Sequence, residues 1–151
     1  MSYFNPDRSL KANATAAQMK DGFTWACEFG RSAVVEFLLE RGMDVRARLK
    51  HHGQTGLHWA AGGGHVETVK VLLAREAPVD IKDETWAVTP LAWTLFGWRH
   101  PLPGGTPERY YEIARVLIAA GAKVEPDWLT SEDVRACPGM LAALGGEIPA
   151  E

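Results

Sequence analysis

Apolar and polar positions along the chain repeat with a period of 34 residues, a spacing typical of repeat architectures. Asp21, Thr55 and Thr89 define the register of three copies. Apolar residues follow two and four positions later in every copy: Phe23, Leu57, Leu91, Trp25, Trp59 and Trp93. The first two copies also match at Val35 and Val69, Leu38 and Leu72, Leu39 and Leu73, and Val45 and Val79. In the third copy the register resumes 11 residues late, at Leu117, Ile118 and Val124, which indicates an 11-residue insertion.

Each copy predicts two short antiparallel helices. Asp21, Thr55 and Thr89 are residue types that cap a helix N-terminus, and Pro90 suits the first helical position. The first helix of a copy is expected to end near Gly30 or Gly64. The second helix has the apolar spacing of one helical face, with Val66, Val69, Leu72 and Leu73 in the middle copy. Gly42 and Gly121 are expected to end second helices in the left-handed conformation.

These residues resemble the ankyrin repeat family. The stretch TGLHWAAGGGHVETVKVLLAREAPVDIKD resembles one repeat closely. TPLAWTL with ARVLIAAGAKV resembles a second, interrupted repeat, and ACEFGRSAVVEFLLERGMDV a third. The resemblance implies one all-α ankyrin-repeat solenoid over residues 1–151, the third repeat carrying the insertion. Its expected parts are an N-terminal cap (1–20), three repeats (21–54, 55–88 and 89–129) and a C-terminal cap (130–151), in which Thr130 or Ser131 caps a helix.

One residue departs from the family pattern at a helix end. Glu76 stands where glycine is expected, as at Gly42 and Gly121. If Glu76 has a positive φ, replacing it by glycine should stabilise the fold.

Composition and charge argue against some classes of partner and do not identify a function. The chain has 151 residues, a formal charge of −3 and no apolar run approaching the ~20 residues of a membrane span. We therefore expect no nucleic-acid or membrane partner. The N-terminal MSYFNPDRSL has no apolar signal region, so a cytoplasmic protein is expected. We also expect a monomer. Cys27 and Cys137 would lie about three repeats apart, too far for an intramolecular disulfide.

The histidines of the middle repeat suggest a metal site and its glycines suggest a phosphate-binding loop, but neither site is expected here. His58 and His65 are seven residues apart, which would suit two metal ligands on one helix face. The resemblance instead implies structural hydrogen bonds within and between repeats. The run Gly62–Gly64 lacks the Lys-Ser or Lys-Thr and the preceding strand of a phosphate-binding loop.

The segments that join the repeats, called fingers here, differ in charge. The first finger (46–54) carries Arg46, Arg48, Lys50, His51 and His52, and the second (80–88) carries Asp80, Asp83, Glu84 and Trp86. Adjacent fingers of opposite sign could pair with each other, which contributes little on a surface. They could equally form a bipolar recognition edge anchored by an exposed aromatic residue. Both interpretations stay open at this stage.

The first helices carry two further candidate features. Trp25, Trp59 and Trp93 form a ladder that suggests packing between helices, with a partner needed for each buried indole N–H. The alternative is a stacking platform for a base or a sugar. The family's concave face corresponds here to Glu28, Phe29, Gly62, Gly63, Phe96 and Gly97. Gly62 and Gly63 could leave a shallow notch between aromatic residues, or simply lack side chains.

The insertion combines a helix start with a loop. Thr106-Pro107-Glu108 predicts a helix from about Pro107 to Ala120, with an extra turn bearing Tyr110 and Tyr111. The remaining loop, about Trp98 to Gly105, includes Arg99 and His100. Its aromatic residues could form a second binding surface or fold back over a helix end.

The resemblance implies a non-catalytic module that binds a protein partner through its concave groove and finger tips. The candidate contacts are Arg46, Arg48, His52, Trp86, Glu28, Phe29, Gly62, Gly63 and Phe96; Trp98, Arg99, His100 and Tyr110 form the possible second surface. We expect no catalytic residues, cofactor or metal. A small-molecule or hydrolytic site near Gly62–Gly63 is the alternative. A structural fragment of a longer array, which binds nothing alone, is another.

Overall fold

The computed structural model describes residues 16–48, 53–100 and 106–146. In these residues the chain forms nine helices: α1 (Ala16–Glu28), α2 (Ser32–Glu40), α3 (Gly56–Gly62), α4 (Val66–Ala74), α5 (Pro90–Arg99), α6 (Pro107–Ala119), α7 (Pro126–Thr130), α8 (Glu132–Arg135) and α9 (Pro138–Ala143). The described segments contain no strand, so the all-α prediction is confirmed for them.

The first six helices form three pairs stacked in two rows. The inner row consists of α1, α3 and α5, and the outer row consists of α2, α4 and α6. Five of the apolar residues at the repeated positions are fully buried between the rows: Phe23, Leu57, Leu91, Val35 and Val69. The 34-residue register therefore identifies the core correctly, because each repeat contributes the same side chains to the contact with its neighbour.

Helix starts follow the expected chemistry in the second and third pairs. Thr55 and Thr89 precede α3 and α5 with extended backbone. The Thr89 hydroxyl accepts a hydrogen bond from the Ala92 N–H at 3.3 Å. Pro90 occupies the first turn of α5, where its missing N–H leaves no bond unmade.

In the first pair the predicted cap is wrong. Asp21 lies inside α1, which begins five residues earlier at Ala16. The residues before Asp21 are alanines, Gln18, Met19 and Lys20, which favour helix, so the helix extends upstream of the repeat register.

Outer helices end as expected at a residue in the left-handed conformation. Gly42 and Gly121 have φ of 97° and 108°, and Glu76 has φ of 64° at the corresponding position. The condition placed on Glu76 is thus met. An L side chain in this conformation costs stability that glycine does not.

The third pair is longer than the other two. α6 has 13 residues, against nine in α2 and in α4, and it begins at Pro107 as predicted. The predicted loop start is wrong: Trp98 and Arg99 belong to α5, whose ten residues exceed the seven of α3. Residues 101–105 of that loop lie outside the described residues.

A C-terminal cap covers the third pair. α9 packs against α6, and α8 contacts both α7 and α9. Ser131 is the N-cap residue of α8, but its hydroxyl donates to the Trp128 carbonyl and accepts no hydrogen bond from the N–H groups that start the helix. Buried Met140, Leu141 and Leu144 supply the apolar side of this cap.

Candidate partner-binding face

Large hydrophobic side chains are exposed along the inner row of helices. We call the solvent-facing side of α1, α3 and α5, together with the fingers, the inner face. Among the described residues, the exposed large hydrophobics are Trp25 (48%), Phe29 (55%), Trp86 (57%) and Phe96 (60%). All four lie on inner helices, at their ends or on a finger. Aromatic residues gathered on one surface are a usual sign of a recognition site.

A cleft of about 330 Å³ opens at the C-terminal end of the inner face, between the second finger, α5 and α7. Its walls are mainly apolar, and one charged side chain, Arg99, takes part in them. The lining residues are Trp86, Val88, Ala92, Trp93, Leu95, Phe96, Arg99 and Trp128. Trp128 was not predicted, because it lies in α7, a helix that has no counterpart in the 34-residue register.

Asp83 holds the second finger in the shape that presents Trp86. Its carboxylate is buried and accepts the backbone N–H of Trp86 at 3.2 Å and that of Val88 at 2.8 Å. The side-chain amide of Gln54 also donates to it, at 3.1 Å. Burial alone would raise the pKa of Asp83. The hydrogen bonds, with help from nearby His58, outweigh burial and bring the pKa below its usual value of 3.8.

His58 joins the start of α3 to the end of the same finger. Its Nδ1 accepts the Thr55 backbone N–H at 3.0 Å, so the ring proton is on Nε2, which donates to the Val88 carbonyl at 3.0 Å. Burial lowers the pKa of His58 and favours this neutral form. His65 likewise links repeats, since its Nε2 donates to the Glu28 carbonyl at 2.7 Å. The structural interpretation of both histidines is confirmed.

The two fingers pair with each other through Arg48. Its Nη1 donates to the carbonyls of Gly53 at 2.9 Å and Lys82 at 2.8 Å, and its Nε lies 3.8 Å from a Glu84 carboxylate oxygen. Arg46 remains exposed. The two fingers therefore contact each other, and Trp86 of the second finger is nevertheless exposed. His52, with His51, lies outside the described residues.

The proposed notch at Gly62 and Gly63 is filled. A Cβ on Gly62 would lie 2.9 Å from the Trp93 ring, and one on Gly63 would lie 2.7 Å from the His65 ring. A Cβ on Gly97 would lie only 2.2 Å from the Gly62 carbonyl oxygen. Gly62 and Gly97 therefore allow α3 and α5 to approach closely, and the open space lies one repeat further along, in the cleft.

The tryptophan ladder is only partly a packing feature. The rings of Trp59 and Trp93 lie 5.9 Å apart, and Trp86 lies 5.8 Å from Trp93 on the other side. Trp25 is exposed instead, with the Arg31 guanidinium 5.7 Å from its ring centre. Nε1 of Trp59 and of Trp93 are buried, and neither has a hydrogen-bond partner among the described residues.

The possible second surface does not form as a unit. Tyr110 is 1% exposed, so its assignment to a surface is wrong: its ring packs against the turn at Gly64. Trp98 is half-buried against the core, as the covering interpretation expects. Arg99 is bound by Asp133 through two hydrogen bonds, which hold the pKa of that carboxyl at about 2. His100 is exposed and stacks on Phe96, with ring centres 4.7 Å apart.

Two kinds of functional feature are absent from the described residues: a metal-holding cluster and a membrane-spanning helix. They contain no group of three or more His, Cys, Asp or Glu side chains arranged to hold a metal ion. Within the same part of the chain, none of the helices has the length and apolarity needed to cross a membrane. Cys27 and Cys137 are both free, and burial raises the pKa of the Cys27 thiol.

Comparison with known proteins agrees with the repeat register. A family model described as "Ankyrin repeats (3 copies)" matches residues 23–127. E3 ubiquitin-protein ligase Ufd4 of Drosophila melanogaster is 35% identical over 103 residues, which are 68% of this chain and 3% of that protein. E3 ubiquitin-protein ligase hecd-1 of Caenorhabditis elegans is 42% identical over 60 residues, covering 40% of this chain and 2% of that protein. Inversin of Gallus gallus is 41% identical over 63 residues, covering 40% and 6%. The chain thus spans only a small part of these relatives.

Proposed function

Because the chain belongs to the ankyrin repeat family, whose repeats are generally protein–protein interaction modules, we propose that it binds a protein partner without catalysis. The exposed aromatic residues of the inner face carry this proposal. A rigid stack presents such residues already ordered, which limits the entropy lost on binding.

The proposed contacts differ in how freely they meet a partner. Phe29, Phe96, Trp86, Glu28 and Arg46 are exposed and would contact it directly. The other proposed residues shape the surface around them: Arg48, which joins the fingers, and half-buried Gly62 and Gly63. His52 is kept in the proposal on its sequence position alone.

We further propose a cytoplasmic, monomeric protein without a cofactor. Two unpaired cysteines and the unremarkable net charge support this proposal. The activities named for the two ubiquitin ligases belong to those proteins. We do not propose a small-molecule or hydrolytic site near Gly62–Gly63, because the rings of Trp93 and His65 occupy the space that it would need.

Site-specific photocrosslinking tests the proposal. Benzoylphenylalanine would replace Phe29 or Phe96 on the inner face and, as matched controls, exposed Ala33 or Ala119 on the outer helices. In lysate of the source organism, we expect the same protein adduct from both inner positions and none from the outer ones. Adducts from the outer positions alone would overturn the inner-face assignment.

A further inference from the structure

The cleft beside Trp86 has a size that suits one side chain. Its volume of about 330 Å³ lies at the lower limit of the ~300–1,000 Å³ typical of ligand sites, so it is too small for a helix or a strand. Trp86, Trp93, Phe96 and Trp128 give it aromatic walls. A bulky apolar side chain inserted there would lose water contact over most of its surface, which is the setting in which interface anchors contribute most.

The one charged group in the cleft wall is already neutralised. Arg99 donates through Nε and Nη2 to the two carboxylate oxygens of Asp133. An occupant that brought its own carboxylate to Arg99 would have to compete with this bidentate pair. The cleft wall therefore favours an uncharged occupant.

The rim of the cleft is acidic. Segments 80–86 and 123–133, which contribute Trp86 and Trp128 to the cleft, carry seven carboxylates and two lysines, Lys82 and Lys123. Two of these carboxylates, Asp83 and Asp133, are already bound, by backbone N–H groups and by Arg99, which leaves five. Glu84 and Asp127 are exposed; Glu84 lies two residues before Trp86, and Asp127 directly precedes Trp128. Glu84 has a 3.8 Å contact with Arg48, but its side chain is 65% exposed, so the pair is weak.

The first finger, toward the other end of the inner face, has the opposite charge, although exposed Glu28 at the end of α1 is acidic. The first finger has Arg46, Arg48 and Lys50 and no carboxylate, and Arg31 lies over the ring of Trp25. A basic partner segment is repelled there and attracted to the rim of the cleft. Charge thus selects which end of the face such a segment approaches.

We propose that the cleft receives one bulky apolar side chain of a protein partner, and that basic residues flank this side chain in the partner's sequence. The proposal rests on the protein-binding function argued above and deepens it. The acidic rim steers the segment, and the aromatic walls hold its anchor.

Three short synthetic peptides test the two halves of the proposal on the full-length chain. The first has a phenylalanine between pairs of lysines, the second replaces the lysines by glutamates, and the third replaces the phenylalanine by alanine. Binding is followed through the indole N–H signals of the six tryptophans, assigned by single Trp→Phe variants. We expect saturable shifts of the Trp86 and Trp128 signals with the first peptide, at least about tenfold weaker binding of the other two, and weakening by salt.

Matched variants locate the site. Trp86→Ala removes an exposed wall of the cleft, and we expect it to weaken binding of the first peptide by about five- to tenfold. Trp25→Ala removes a comparably exposed indole at the other end of the face, and we expect no change. Circular dichroism verifies that both variants are folded.

Each contrary result contradicts one part of the proposal. Equal binding of the glutamate peptide contradicts the basic flanks, and equal binding of the alanine peptide contradicts the apolar anchor. Equal loss in Trp25→Ala and Trp86→Ala contradicts the cleft as the site. Failure of all three peptides to bind overturns this inference, while the crosslinks at positions 29 and 96 separately decide the proposed function.

Discussion

The two ends of the inner face present aromatic residues in different settings. Trp25 and Trp93 occupy the same repeat position, yet Trp25 is 48% exposed and stacks with Arg31. Trp93 lies between the indoles of Trp59 and Trp86 and forms part of a cleft. The repeat thus determines the position of an aromatic side chain along the inner helix. The residues around that side chain determine whether it is buried, exposed or part of a pocket.

The two ends also differ in how their fingers are supported. The second finger is organised around the buried carboxylate of Asp83, which accepts three hydrogen bonds. The first finger is joined to the second by Arg48, whose side chain is 38% exposed. We therefore expect changes at Asp83 to affect the cleft end more than the end that carries Trp25, and the following predictions test this asymmetry.

Asp83→Ala should have the largest effect. It leaves the N–H groups of Trp86 and Val88 and the Gln54 amide without their acceptor, and we expect a loss of about 2–4 kcal/mol in the free energy of unfolding. Urea denaturation measures this loss. The indole N–H signal of Trp86 should move or broaden, and that of Trp25 should not.

Asp83→Asn is the control for this experiment, since its side-chain carbonyl retains part of the acceptor capacity. We expect an intermediate loss of stability. If Asp83→Ala is as stable as the wild type, the carboxylate does not organise the finger.

Gly97→Ala should have the next largest effect. Its Cβ would lie 2.2 Å from the Gly62 carbonyl oxygen, so α3 and α5 must separate, at a cost of about 1–3 kcal/mol in unfolding free energy. The same register position in the first pair is Phe29, whose side chain is exposed, so this close backbone approach is specific to the cleft end. Thermal or urea denaturation measures the cost.

Gly62→Ala is the matched control on the facing helix. Its Cβ would meet the Trp93 ring at 2.9 Å, and a ring can shift more easily than a carbonyl group. We expect a smaller loss than for Gly97→Ala. A Gly97→Ala variant more stable than the wild type would contradict the close helix contact.

Acidification should weaken the cleft end in two steps. The pKa of His58 is lowered from 6.5 by burial, so the folded chain binds fewer protons than the unfolded chain as pH falls. The contribution of His58 to stability is therefore complete above about pH 6.5 and is lost as pH falls from there through its lowered pKa. The pKa of Asp83 is lowered from 3.8, so its contribution is lost only at still lower pH.

Unfolding free energies measured between pH 7.5 and 3 check this order. His58→Gln should be less stable at neutral pH and should lose the slope below pH 6.5. His65→Gln should keep that slope, because it changes the hydrogen bond to Glu28 near the other end. An unchanged slope in His58→Gln would assign the titration to other groups.

Local backbone chemistry was predictable from the sequence, and the cleft was not. Thr55, Thr89, Gly42 and Gly121 act through their own backbone conformation, so residue type and spacing were sufficient to place them. The repeat register does not predict the start of α1 at Ala16, because the helix formers before Asp21 lie outside the repeat and extend the helix upstream.

The cleft depends on contacts between elements that share no register. Trp128 comes from α7, Trp86 from a finger and Trp93 from an inner helix. Their convergence follows from the finger geometry set by Asp83 and from the close approach of α3 and α5 at Gly97. Neither leaves a periodic signal in one sequence, which is why the predicted notch at Gly62–Gly63 lay one repeat away from the observed cleft.

Glu76→Gly should have the smallest effect, and it separates overall stability from the difference between the two ends. Glu76 is exposed with φ of 64°, where its counterparts Gly42 and Gly121 have φ of 97° and 108°. Removing the Cβ relieves left-handed strain, so we expect a gain of about 0.5–1 kcal/mol in unfolding free energy, seen as a higher melting temperature. Glu76→Ala keeps the Cβ and loses the rest of the side chain, so it should show no such gain. Because Glu76 ends the outer helix of the middle pair, the Trp25 and Trp86 indole signals and the acid-induced steps should stay as in the wild type. A lower melting temperature for Glu76→Gly would mean that the Glu76 side chain contributes more than its backbone conformation costs.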